Sequence, residues 1–309
     1  MLFVLALVPV VGLLFFIYFN DKKEKEPIGL LVALFFAGMG TVLTAMAAEI
    51  LGQLILGAAM PDSSMVKAVI LAIMIVGPAE ELGKFFVLRI ITWKNKNFDY
   101  SFDAIVYAVF VSLGFACLEN INYVFSNGAG TAFLRMMTAV PGHACYAVFM
   151  GYFYGKSKYA LLTGNKGRYA GFTLLSIFVP IVTHGVYDAI LMAGYASGVD
   201  TLAGLSLILW ILYIIALFTV SCIFIVRSSN NDFCIVTLPD KVQTVYKPSV
   251  VGSWTCSCGS ENFYNYCSKC GRVRTFGTLW HCPNCRTLCT MNFCGNCGCS
   301  KPSSEVKSI

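Results

Sequence analysis

Seven long apolar runs, near residues 2–19, 28–56, 66–92, 102–125, 131–155, 169–195 and 201–226, are separated by short polar stretches. Each is long enough to cross a hydrocarbon core of about 30 Å as a helix. The runs lack the strict alternation of a half-buried strand, so the pattern predicts an all-α polytopic membrane bundle of about seven transmembrane helices. The second run exceeds what a span needs, which predicts tilt, a kink or an interfacial extension. The first has no basic n-region and no small-residue cleavage site before the charged cluster that follows it, so it reads as a retained span. After Arg227 the pattern stops. The expected organisation is a membrane domain over 1–227, a polar linker over 228–250, a cysteine-rich unit over 251–300 and a disordered tail over 301–309.

Composition agrees. Hydrophobic residues make up 57% of the chain and charged residues 12%, with a mean hydropathy of +0.72. A soluble domain averages about 25% charged residues, so a soluble protein is excluded. The net charge of +6 is modest and lies largely in loops and the tail, so no nucleic-acid partner is expected. Lysines and arginines follow alternate runs: Lys22, Lys23 and Lys25, then Lys94 and Lys96, then Lys156, Lys158, Lys166 and Arg168. The intervening loops offer little beyond Lys67 and Arg135. The positive-inside rule then predicts an N-terminus outside and a C-terminus in the cytoplasm.

Ten of the 14 cysteines fall between Cys256 and Cys299. In a reducing cytoplasm that density favours zinc over disulfides. The segment with Cys256 and Cys258 is answered by Cys267 and Cys270, and the segment with Cys282 and Cys285 by Cys294 and Cys297. Each set of four thiolates suits a closed tetrahedral structural zinc site, so a double zinc ribbon is expected. The second set has C-x2-C spacing in both knuckles, whereas Cys256 and Cys258 are only two apart. Some 50 residues bury too little core to fold unaided, which makes metal the source of stability. The double ribbon resembles small modules used for docking proteins, which makes a cytoplasmic protein partner the expectation.

The candidate chemistry lies inside the apolar runs. A carboxylate at bilayer depth costs roughly 2.5–3.5 kcal/mol on insertion scales. The third run nevertheless carries Glu80, Glu81 and Lys84, the fourth Glu119 and Asn120, the fifth His143, and the sixth His184 and Asp188. Counted along antiparallel helices at about 1.5 Å per residue, all of these levels fall between mid-membrane and the outer leaflet. One shared cavity is feasible. Glu80 and Lys84 are four residues apart and share a face, while Glu81 points roughly 100° away, so one carboxylate can face the cavity and the other pair elsewhere. His184 and Asp188 also share a face. Glu49, near the outer end of the second run, reads as a solvated interfacial residue.

These residues carry a resemblance. Glu80-Glu-Leu-Gly-Lys84 fits E-E-x-x-K, Phe115-Ala-Cys-Leu-Glu119 fits F-x-x-x-E, and His184-Gly-Val-Tyr-Asp188 fits H-x-x-x-D. With His143 and the Glu26-Pro27-Ile-Gly-Leu start of the second run, the ordered set resembles the PrsW family of intramembrane proteases, related to the CAAX-processing (Abi) membrane proteases. The resemblance covers most of residues 1–226, and the zinc tail lies outside it. It implies an integral protein of a bacterial cell membrane that cleaves a membrane-anchored protein, in some members an anti-sigma factor. It further implies Glu80 or Glu81 as general base on a water, His143 and His184 orienting that water or stabilising the oxyanion, and Glu119, Asn120 and Asp188 in support. A metal held by His143, His184 and a carboxylate is the other mechanism open to these residues. An ion- or proton-coupled carrier would also bury carboxylates and histidines, though no inverted repeat is visible. A non-catalytic receptor signalling through its zinc tail is the remaining alternative.

Overall fold

The computed structural model describes residues 2–235 except 61 and 63, together with short pieces of the segment 254–299. The chain divides into two compact units, Met1–Val236 and Thr237–Ile309. The first is all helical: α1 (Leu2–Asn20), α2 (Ile28–Ala59), α3 (Met65–Ile70), a π-helical turn (Leu71–Val76), α4 (Gly77–Thr92), α5 (Asp103–Asn127), α6 (Ala129–Met137), α7 (Ala139–Leu162), α8 (Lys166–Ala196) and α9 (Asp200–Asn230). Among the described residues α1, α2, α5, α8 and α9 are each long and apolar enough to cross a membrane. The continuous helical path over 65–92 and the 24-residue α7 carry more polar groups and lie alongside them.

The lipid solvent explains the inversion of the usual burial rule. Phe36, Leu43, Leu54, Phe178 and Leu212 are exposed, while Glu80, Glu81, Lys84, Asn120, His143 and His184 are buried. Helix α5 lies at the centre, with α1, α2, α4 and α7 packed around it; α8 covers α7 and the 65–92 path, and α9 covers α7 and α8. The tightest crossing is α2 against α5. A Cβ on Gly38 would stand 2.0 Å from the carbonyl oxygen of Val111, and a Cβ on Gly114 would stand 2.0 Å from that of Phe35. Small residues let transmembrane backbones approach this closely. Gly114→Ala is therefore expected to lower thermal stability in detergent by about 1–3 kcal/mol, the usual cost of overpacking. An unchanged unfolding midpoint would show that the crossing yields without cost.

Two features differ from the sequence pattern. The run predicted over 131–155 is two helices, α6 and α7, divided at Thr138. Short α6 is strongly amphipathic, and a hydropathy average smooths it into its apolar neighbour. The third run contains the π turn, closed by Gly77 donating to the carbonyl of Ala72 five residues back. Pro78 follows at once; it has no N–H to donate, and its ring would crowd the preceding turn of a regular helix, so the wider turn accommodates it.

In the second unit, β1 (Trp254–Thr255) pairs antiparallel with β2 (Glu261–Asn262), and β3 (Trp280–His281) with β4 (Leu288–Cys289). The two hairpins occupy corresponding places in the repeated cysteine segments.

Candidate active site

The π turn sets the glutamates against α8. A Cβ on Gly77 would lie 2.9 Å from the carbonyl oxygen of Ile181, and one on Gly185 would lie 2.9 Å from the Cα of Ile73. This glycine-to-backbone contact brings His184, next to Gly185, within reach of the first turn of α4. His143 arrives from α7 and is anchored by its carbonyl, which accepts from Ser112 Oγ at 2.9 Å.

Lys84 is the hub of the cluster and is fully buried. Its Nζ lies 3.1 Å from Glu80 Oε2, 2.7 Å from Glu81 Oε1 and 3.2 Å from His143 Nδ1, which uses all three of an ammonium's donors. Its fourth neighbour is the ring of Phe115, whose centroid is 3.9 Å away, a cation–π contact.

The two histidines are held in the same way. His143 Nε2 lies 2.8 Å from Glu119 Oε2, and His184 Nε2 lies 3.4 Å from Asp188 Oδ2. Because the Lys84 ammonium can only donate, His143 Nδ1 must accept, which puts the ring proton on Nε2 facing Glu119. His184 Nδ1 turns to the same centre, 3.0 Å from Glu81 Oε1 and 3.8 Å from Glu80 Oε2. Each imidazole thus has a carboxylate behind it and its Nδ1 toward the glutamates. A neutral histidine with one nitrogen on a carboxylate is the usual arrangement of a metal-bound imidazole.

The donor set fits a divalent metal. Glu80, Glu81, His143 and His184 each offer one ligand atom, and these atoms lie within 4.8 Å of one another. Glu81 Oε2 is buried with no hydrogen-bond partner among the described residues. Mixed imidazole and carboxylate donors suit zinc or a related transition ion. Lys84 is the cation that satisfies these atoms here, so a bound metal would displace its ammonium.

Glu80, Glu119, His143, His184 and Asp188 line one cavity of about 1010 Å³. Glu81 and Lys84 stand behind that wall. Asn120 also lies off the cavity: it donates to the Ala6 carbonyl at 2.9 Å and accepts from Arg135 Nε at 3.0 Å. Its amide thus ties Arg135 to α1.

Three wall residues escaped the sequence reading. Arg135, on α6, stands 2.9 Å from Glu119 Oε2 and so holds the carboxylate that backs His143. Tyr146 stacks on His184 with ring centroids 4.6 Å apart, and its hydroxyl is buried without a partner among the described residues. Glu49, expected from the sequence at a solvated interface, is half-buried and lines the same cavity. Arg135 carried a faint signal as the lone charge in an apolar stretch, whereas Tyr146 carried none among 15 tyrosines.

In the tail, Cys282, Cys285 and Cys297 offer three sulfurs within 4.8 Å of one another, with Cys299 packed beside them. Cys258 is described as well; the predicted ligands Cys256, Cys267, Cys270 and Cys294 lie outside the described residues.

A family model described as PrsW family intramembrane metalloprotease matches residues 26–221 and ends before the cysteine-rich tail. Protease PrsW of Geobacillus kaustophilus is 35% identical over 199 residues, covering 63% of this chain and 83% of the relative. Protease PrsW of Bacillus subtilis is 34% identical over 189 residues, covering 61% and 81%, and that of Clostridioides difficile is 31% identical over 213 residues, covering 68% and 87%. No solved structure matches.

Proposed function

The chain belongs to the PrsW family of intramembrane metalloproteases, and from that premise we propose that it hydrolyses a peptide bond of a membrane-anchored protein with Glu80 as general base. A protease of the membrane requires a protein substrate at the bilayer; an anti-sigma factor is the substrate type the sequence resemblance implies. The observation that carries the assignment of the base is the division of labour between adjacent glutamates. Glu80 lines the cavity, while Glu81 is held behind it by Lys84 and His184. A base must reach the water it deprotonates, and of the two only Glu80 fronts the space where water and substrate enter.

His143 and His184, through Nδ1, and Glu81 would hold the metal. When bound, it polarises a carbonyl and acidifies a water. The chain's own residues supply the remainder. Glu80 accepts the water proton and hands it to the leaving amine. Glu119 and Asp188 keep the two imidazoles oriented, and Arg135 and Asn120 fix Glu119 in turn. Tyr146 lines the cavity, and its buried hydroxyl, without a partner among the described residues, would be the donor for the developing oxyanion. The test is co-expression with single-span membrane proteins. A released fragment should appear with the wild type and be absent with Glu80→Gln.

The tail is assigned to two structural zinc ions, one in each four-cysteine set, on the cytoplasmic side, where it docks a protein partner. Support comes from the lysine-rich loops, the repeated hairpins and the cluster of Cys282, Cys285 and Cys297. A single labelling series examines both metal and side. An impermeant maleimide should leave Cys282 unmodified in intact cells and in permeabilised cells, and should modify it once permeabilised cells also receive a chelator. Modification in intact cells would reverse the orientation; modification without chelator would remove the zinc.

A further inference from the structure

A second buried carboxylate cluster lies on the helix ends where the chain leaves α1, enters α2, enters α5 and leaves α9. Asp21, Glu26 and Asp103 each offer a carboxylate oxygen, and the three lie within 4.8 Å of one another. Their exposures are 1%, 3% and 0%. None of them belongs to the catalytic constellation, although Glu26 opens the second run in the segment Glu26-Pro27-Ile-Gly-Leu.

What marks this cluster as a site is the state of its oxygens. Both carboxylate oxygens of Asp21 are buried without a hydrogen-bond partner among the described residues, and so is Oδ1 of Asp103. Asp103 Oδ2 is satisfied, accepting from the backbone N–H of Asp99 at 3.1 Å and of Tyr100 at 2.7 Å, and Glu26 accepts from the Tyr107 hydroxyl. Asp232, just past the end of α9, adds its negative field; one of its oxygens accepts from Ser101 and Phe102, and the other has no partner among the described residues.

The lysines nearby do not answer these charges. Lys25 donates to the backbone carbonyls of Tyr18 and Asp21. Lys158 donates to the Trp93 carbonyl at 3.0 Å and lies over the Phe98 ring. Lys22 donates to Asn230 at 2.7 Å. No ion pair within 4.0 Å joins any of them to the three carboxylates. A group of buried carboxylates with free lone pairs and no organic cation paired to them among the described residues calls for an inorganic one.

We propose that Asp21, Glu26 and Asp103 bind one divalent cation of the hard, oxygen-seeking class, magnesium or calcium, which clamps the α1–α2 loop to the start of α5. An all-carboxylate donor set excludes the softer ions that imidazole and thiolate sites take. The clamp sits where α1 and α9 are already tied, through Ser229 Oγ to the Asn20 carbonyl at 2.5 Å, and where the chain departs toward the tail. The site is structural and independent of the protease chemistry.

The test uses the full chain in nanodiscs. Magnesium or calcium, added separately, should raise the unfolding midpoint of the wild type by a few degrees, and the rise should be lost in Asp21→Asn and in Glu26→Gln. Bound Mn2+ counted by electron paramagnetic resonance should fall by one equivalent per chain in either variant, and either cation should displace that equivalent from the wild type. The Mn2+ count on the wild type keeps the proposal falsifiable if a variant does not fold. A midpoint insensitive to both ions, with no Mn2+ displaced by either, would overturn it and leave the carboxyls sharing protons.

Discussion

Glu80→Gln should abolish proteolysis while leaving the protein folded. The amide keeps the shape of the side chain and can still face Lys84, so the bond network around Nζ is only weakened. What disappears is the basic oxygen on the cavity wall, and loss of general-base action typically costs ~10²–10⁴-fold in rate. Glu81→Gln should behave differently. Glu81 touches Lys84 and His184 and does not front the cavity, so its replacement should loosen the donor set and lower bound metal along with activity. The two variants are separated by metal content, measured on chains lacking the cysteine tail. Glu49→Gln is the control: it changes the same cavity wall at a residue outside the donor set and should have a mild effect. Cleavage unchanged in the Glu80→Gln, Glu81→Gln double variant would sink the assignment altogether.

The helical period of the sequence already implied that only one of two adjacent glutamates could face a shared cavity. It could not say which, because that depends on the rotation of α4 about its axis. The rotation follows from the π turn before Pro78 and from the contact of Gly77 and Gly185 with facing backbone, both of them tertiary facts. The motifs on four helices were legible because buried charge is expensive and therefore conspicuous in an apolar run. Asn120 was conspicuous for the same reason, yet it serves α1 and Arg135 rather than the cavity. Cost identifies a residue that must be satisfied and leaves open by whom.

Arg135 and Tyr146 show the opposite failure. Arg135 lies on a helix so short that hydropathy merges it with α7, and a charge near a loop reads as solvated. Tyr146 is an aromatic residue in an apolar helix, where packing is the ordinary explanation; only the stack on His184 and the free hydroxyl distinguish it. Asp21 and Asp103 were hidden by position. Carboxylates at the ends of spans are commonplace, and their burial appears only when four chain segments meet. Family membership, in turn, favours proteolysis over the carrier and receptor readings, which the inventory of polar residues alone left open.

Lys84→Met should produce the largest loss of stability in the membrane domain. The thioether matches the length of the lysine stem and fills its space, so little packing is lost. The ammonium, however, is the one group that binds Glu80, Glu81 and His143 together at 3.1, 2.7 and 3.2 Å. Removing one partner of a buried ion pair leaves uncompensated charge and typically costs about 3–5 kcal/mol. Here two carboxylates lose the same cation, so the unfolding midpoint in detergent should fall steeply. The geometry also says what can replace the ammonium. Four donor atoms from Glu80, Glu81, His143 and His184 lie within 4.8 Å of one another, and a zinc ion supplies two positive charges where Lys84 supplied one. Added zinc should therefore restore much of the lost stability to Lys84→Met, and should restore less to a Lys84→Met, His184→Ala variant that lacks a donor. A Lys84→Met protein as stable as the wild type in metal-free buffer would show that the ammonium does not hold the cluster. A destabilised one that zinc leaves unmoved would separate the ion-pair role from the metal site and count against the proposed donor set.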